Sequence, residues 1–195
     1  MGVFLLFRLM YAHGMNELSK QPTKLTRSRG LTLILTEDRA RAGITELIAD
    51  LILCGALFVV AASEWLPAYE LTRIIRKKTL EVRPTLDRLY TVRASTCYRL
   101  LDSLANIPSN GEPILVLDFL HTFHDSDIPL RVRFLKLRAC CRQLKRLALY
   151  RSVIVMTQGM QTDDDEKFIP TLRSVADRTL TLEPEPIQIT QPALL

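Results

Sequence analysis

Apolar residues along this chain follow two alternating patterns. Continuous branched runs occur at Leu31–Thr36 (L-T-L-I-L-T), Ala56–Ala62 (A-L-F-V-V-A-A), Leu89–Val92, the P-I-L-V-L-D stretch ending at Asp118, and V-I-V-M-T-Q ending at Gln158. The runs ending at Asp118 and Gln158 predict parallel strands buried on both faces, Ala56–Ala62 a further buried strand, and Leu31–Thr36 and Leu89–Val92 two more strands. Between them the spacing changes. Ile44, Leu47, Ile48, Leu51 and Ile52 repeat at helical intervals. A second helix is predicted from Pro67, a favoured first position, to the Arg76-Lys77-Lys78 cluster, whose charges suit a helix C-terminus. Ser95 reads as an N-cap for a helix over 96–106. The longest helix runs from Pro129 to Arg151. Beyond Gln158 come an acidic turn, Asp163–Glu166, and a T-L-T-L run near the end.

This alternation predicts an α/β fold, a mostly parallel sheet with helices on both faces. The boundaries implied are a peripheral N-terminal extension over 1–30, an α/β domain over 31–183 and an extended tail over 184–195. The apolar start, M-G-V-F-L-L-F-R-L-M-Y-A, is too short to span a bilayer and is interrupted by Arg8. It lacks the layout of a signal peptide, so residues 1–14 read as an extension or a misassigned start before Met15.

Composition changes this picture little. A chain of 195 residues with 48% hydrophobic content has room for one sizeable core, and a net charge of +5 permits an acidic partner. Cys54, Cys97, Cys140 and Cys141 stand in apolar surroundings without a C-x-x-C spacing, which predicts reduced, buried thiols and a cytoplasmic setting.

The Pro129–Arg151 helix carries Arg131, Arg133, Lys136, Arg138, Arg142, Lys145, Arg146 and Arg151 with no acidic residue. Leu137, Cys140, Cys141, Leu144 and Ala148 form its apolar stripe. Arg138, Arg142, Lys145 and Arg146 are the candidates for contact with nucleic-acid phosphates, in a sequence-independent and salt-sensitive manner. A solvated face balancing acidic loops is the plainer reading of the same residues. The loop over 119–130 offers His121, His124, Asp125 and Asp127, a weak pattern for a metal.

Several stretches, in order, resemble the RecA/RadA-type recombinase superfamily over about residues 31–183. G-A-L-F-V-V-A-A-S-E-W-L-P-A-Y-E-L is similar to that family's strand and turn ending D-T-E-G-x-F-x-P-E-R-L. L-Y-T-V-R-A-S-T-C-Y-R-L-L is similar to its V-A-R-A segment, and P-I-L-V-L-D to its Walker B strand. R-A-C-C-R-Q-L-K-R-L-A followed by V-I-V-M-T-Q is similar to its L-R-x-L-x-R-L-A helix and V-x-x-T-N-Q strand. The resemblance implies a RecA-like P-loop NTPase fold, with Asp118 and Gln158 at the nucleotide site. It also implies two DNA-contacting loops near 119–130 and 159–169. Asp163, Asp164, Asp165 and Glu166 would repel phosphate in the second.

Two departures cut against hydrolysis. A phosphate loop needs G-x-x-x-x-G-K-[ST], but the matching segment runs from Asp38 to Gly43, Ile44 and Thr45. Gly43 and Thr45 persist; Asp38 replaces a glycine and Ile44 the lysine. A carboxylate about 4 Å from a phosphate charge is unfavourable by roughly 4 kcal/mol at an effective dielectric of 20, which Arg39 and Arg41 offset only if they turn inward. Ala62 falls where the catalytic glutamate belongs, with Glu64 two residues beyond, too far for the same geometry. The expectation is therefore a non-catalytic RecA-like protein, an accessory or DNA-binding factor in recombination or repair, without a cofactor. Its partners would be DNA and a RecA-like subunit or a second copy of itself, with no membrane. The alternative is a divergent ATP-binding protein using Mg-ATP in a site built from Arg39, Arg41, Thr45 and Asp118 or shared between subunits. A scaffold regulator unrelated to DNA is a third reading.

Overall fold

The computed structural model describes residues 25–26, 28–36, 41–108, 111–159 and 162–182. Most of the 1–30 extension, the whole 184–195 tail, and the Asp38 and Arg39 positions lie outside them; the side chain of Arg41 does too. In chain order the elements are β1 (Gly30–Thr36), α1 (Arg41–Cys54), β2 (Leu57–Ala61), α2 (Ala68–Lys78), α3 (Val82–Leu86) and β3 (Leu89–Arg93). There follow α4 (Cys97–Ala105), β4 (Ile114–Leu117), a 3-10 helix (Phe119–Phe123), α5 (Leu130–Ala148), β5 (Ser152–Gln158), α6 (Asp165–Val175) and β6 (Arg178–Leu182).

The six strands form one sheet in the order β3-β2-β4-β5-β1-β6, with every pairing parallel. The α/β class with helices on both faces is as the sequence implies. Apolar runs that look unbroken in sequence divide by alternate residues between two cores, as the strand repeat of two demands. Ile34, Leu115, Leu117, Ile154 and Met156 face α1 and α2 through Ile48, Leu51, Ile52, Leu71 and Ile75. Leu33, Leu35, Val116, Val153 and Val155 face the opposite way, against Leu100, Leu104, Leu137, Leu144 and Phe168 of α4, α5 and α6. Each such side chain, fully buried, contributes about 1.5–3 kcal/mol.

Asp177 fixes the start of β1. Its Oδ2 accepts the Leu31 N–H at 2.7 Å, and its Oδ1 accepts from Lys145 Nζ at 2.8 Å. Gly30 has φ +126°, and a Cβ there would come within 3.1 Å of the same Oδ2. Only glycine takes both that conformation and that approach without strain.

Several sequence expectations need correction. Thr96, not Ser95, caps α4, accepting the Arg99 N–H at 3.2 Å. The long helix ends at Ala148, and Arg151 lies in the following turn, 2% exposed, donating to the carbonyls of Pro108 and Glu112. Cys54 is exposed, although Cys97, Cys140 and Cys141 are buried, and none of these four forms a disulfide. The acidic stretch is no mere turn: it opens α6, a helix whose signal is blurred by an internal Pro170. Residues 119–123 are likewise not a loose loop, since Phe119, Leu120 and Phe123 are buried in the core.

Candidate functional site

The carboxyl ends of β2, β4 and β5 open onto one cleft. The chain runs from β2 outward to β3 and then returns past β2 to β4, so the connections leaving the neighbours β2 and β4 run in opposite directions, a reversal of winding at this cleft. Open parallel sheets bind ligands at such reversals. The cleft encloses about 390 Å³ and is lined by Ser63, Glu64 and Trp65 after β2, Asp118, His121 and His124 after β4, and Thr157 and Gln158 at the end of β5. Asp118 and Gln158, which the sequence singles out, therefore share one pocket.

Asp118 sits at the sharpest turn. Its φ of 51° and ψ of 40° are left-handed, the one such case among the described non-glycine residues. The chain there passes directly from a buried strand into the 3-10 helix, and the Asp118 carbonyl accepts the His121 N–H at 2.9 Å. Left-handed geometry costs an ordinary L-residue about 1–2 kcal/mol, and aspartate tolerates it better than most. The carboxylate accepts the Ser63 hydroxyl at 2.5 Å, and Ser63 Oγ in turn accepts the Trp65 N–H at 3.3 Å. Thus the strand-tip carboxylate ties the end of β4 to the loop after β2.

The second half of the cleft is fixed by a buried carboxylate that the sequence conceals. Asp165, fully buried, accepts from His124 Nε2 at 2.8 Å and from the N–H and hydroxyl of Thr162 at 2.9 and 3.2 Å. The His124 ring also stacks on Phe168, 6.4 Å between centroids. Beside it, buried Arg133 donates to the carbonyls of Ile128 and Phe123 and to Asp164 Oδ2, at 2.8–2.9 Å. Two of the four acids in the Asp163–Glu166 run thus face inward rather than toward a partner. Within D-D-D-E nothing marks which acid is buried.

The segment that the motif resemblance aligns with a phosphate loop is arranged differently. Gly43 lies in the first turn of α1, and Thr45 is fully buried and engaged within the fold. Ile44, where a lysine would meet the phosphates, is 6% exposed and belongs to the apolar layer with Leu117 and Met156. Neither Gly43 nor Thr45 lines the cleft that holds Asp118 and Gln158. Ala62, at the catalytic-glutamate position, is buried. Glu64 does line the cleft. Among the described residues no three His, Cys, Asp or Glu groups are arranged to hold a metal ion.

The basic helix sorts into two sets. Arg133 and Arg151 serve the fold through their carbonyl partners. Lys145 pairs with Asp177, while Arg146 donates to Gln143 Oε1 and to the carbonyls of Leu104 and Ala105, capping the C-terminus of α4. Lys136 lies 4.5 Å from the centroid of the Tyr98 ring. Arg138 and Arg142 are exposed and, among the described residues, make no ion pair or hydrogen bond. With Arg131 and the 58%-exposed Leu135 they occupy one outer face of α5.

Among the described residues no helix is long and apolar enough to cross a membrane. No family model matches the chain, and no curated protein matches it.

Proposed function

We propose that this chain is a non-catalytic RecA-like protein that binds nucleic acid through the outer face of α5, as an accessory factor in DNA recombination or repair. The observation that carries this reading is the pair Arg138 and Arg142, exposed and unpaired among the described residues on a helix without an acidic residue. Two guanidinium groups four residues apart stand one turn from each other, a spacing suited to successive phosphates. Lys145 and Arg146 extend the positive field of that face, although both also serve the fold. The absence of base-stacking side chains among these arginines favours contact with the backbone rather than with sequence.

Burial of Ile44 supports the non-catalytic half of the reading, since no cation stands at that position to meet a transferred phosphate. The free thiols support a reducing, cytoplasmic setting. The pathway and a RecA-like partner subunit rest on the motif resemblance. A second reading, a divergent ATP-binding protein, draws support from Asp118 and Gln158 lining one cleft.

The test is titration of labelled single-stranded and duplex DNA at low and high salt, beside Mg-ATP binding. The reading requires salt-sensitive DNA binding that weakens in Arg138→Ala and Arg142→Ala. Each substitution should also reduce the salt slope by about 0.7–0.9, the signature of one fewer neutralised phosphate. DNA affinity indifferent to both substitutions sinks it. ATP binding abolished by Asp118→Ala establishes the second reading instead.

A further inference from the structure

The strand-end cleft carries two carboxylates, Glu64 and Asp118, beside the Trp65 ring. Glu64 makes no hydrogen bond or ion pair among the described residues, and it is exposed at the rim. Asp118 gives Oδ2 to Ser63, while Oδ1 meets no donor among the described residues. Asp165 Oδ2 accepts twice from Thr162, and its Oδ1 lies 2.8 Å from His124 Nε2, which holds that ring at the cleft wall. Gln158 adds an amide, and the Trp65 indole adds an aromatic wall.

No lysine or arginine lines this cleft among the described residues. A phosphate would meet two carboxylates and no fixed cation, an arrangement that repels it. A divalent metal is poorly served as well, since the acids and imidazoles do not gather into a set of three. What remains is a ligand with positive charge spread over several N–H donors. It would satisfy separated acceptors at once and lie against an aromatic ring.

We propose that this cleft binds an organic cation, a guanidinium or alkylammonium group, held between Glu64 and Asp118 and against Trp65. The site differs in chemistry from the nucleotide site that the motif resemblance implies at the same strand tips. It is also separate from the α5 face, so it stands or falls independently of nucleic-acid binding. The cation can come from a free small molecule or from an arginine side chain of another protein.

Calorimetric titration of the full chain with agmatine, with a short arginine-containing peptide capped at both ends, and with triphosphate distinguishes these sources. Saturable binding of agmatine, of the peptide or of both supports the site, and their ratio tells which source it prefers. Glu64→Gln, a change at an exposed position, should weaken that binding about tenfold, as should Trp65→Leu. Glu166→Gln, which removes an exposed acid outside the cleft, should leave it unchanged. Thermal melts of each variant establish that the fold persists. Failure of both cations to bind at millimolar concentration overturns the proposal. Triphosphate binding in their place does so too, as does cation affinity that Glu64→Gln leaves intact.

Discussion

Ser63 and Asp118 stand 55 residues apart in sequence, and a 2.5 Å hydrogen bond joins them across the carboxyl ends of two adjacent strands. The bond stabilises a turn that the backbone alone resists, because Asp118 is left-handed where the chain leaves β4. Side chain and backbone therefore make different demands at this position, and substitutions separate them. Asp118→Asn keeps an acceptor for Ser63 and a residue type that tolerates the left-handed region, so it should cost under about 1 kcal/mol. Asp118→Val loses both and should cost about 2–4 kcal/mol. Urea denaturation of the two variants reads the difference. Equal losses would show that the backbone conformation carries no strain.

Arg133 belongs to the fold, not to the basic surface. It is 8% exposed and joins the end of the 3-10 helix to the start of α6 through Phe123, Ile128 and Asp164. Truncation strands two carbonyls and a partly buried carboxylate. Arg133→Ala should therefore lower stability by about 3 kcal/mol, against about 1 kcal/mol or less for Arg138→Ala. Parallel denaturation curves check this contrast, and equal effects would put the two arginines in the same class.

The sheet was legible because buried parallel strands leave apolar runs, as at β1, β2, β4 and β5; β3, at the sheet edge, is largely exposed and leaves only L-Y-T-V. Strand order was not legible, since nothing in the runs at Leu31 or Val153 records that β1 and β5 become neighbours. Asp118 and Gln158 could be read as site residues from their place at strand tips. His124 showed only as part of a weak metal pattern, and its pairing with Asp165 did not show at all. A buried aspartate needs its partners in space, and Thr162 and His124 lie on opposite sides of β5 in sequence. Similarly, the arginines of α5 look alike in sequence, but packing decides which of them reach solvent.

Asp177 links acidity to the anchoring of β1. Its carboxyl is held below the ordinary value of 3.8, first by the hydrogen bond from Lys145 and then by the Leu31 N–H. A carboxyl depressed in the folded state stabilises the fold fully above its unfolded pKa. The contribution then disappears as pH falls through the lower folded value. The side chain is 46% exposed, so solvent screening limits the effect to about 1 kcal/mol or less. Asp177→Asn should flatten the acid limb of stability below about pH 4 and leave its shape near neutrality unchanged. Unfolding free energies from about pH 2 to pH 7 test this; an unchanged acid limb would leave the Lys145 pairing without energetic weight.

Thiol reactivity should divide the cysteines by depth. Burial pushes the Cys141 thiol up to about 12 and raises Cys140 and Cys97 as well, so little thiolate forms at neutral pH. Cys54 is exposed. One thiol should therefore react rapidly with a chromogenic disulfide reagent, and Cys54→Ser should remove that phase. The other three should react only as the chain unfolds. A fast phase surviving Cys54→Ser would mean that one of the helix-packed cysteines is accessible.

Ile44→Lys places a lysine where the motif resemblance would put a phosphate-loop cation. The native side chain is 6% exposed and packs with Leu47, Ile48, Leu117 and Met156. A lysine there gives up apolar packing and brings an ammonium group into a layer with no carboxylate. The cost should be about 3 kcal/mol, visible as a lowered denaturation midpoint. Its stem can carry the charge outward only by vacating the packing that Ile44 supplies. Even then Gly43 and Thr45 remain outside the cleft of Asp118 and Gln158, and Ala62 has no carboxylate to orient water. The variant should therefore be less stable and show no Mg-ATP hydrolysis above the parent chain. Turnover gained by this one substitution would contradict the non-catalytic reading and place a functional nucleotide site at the α1 N-terminus.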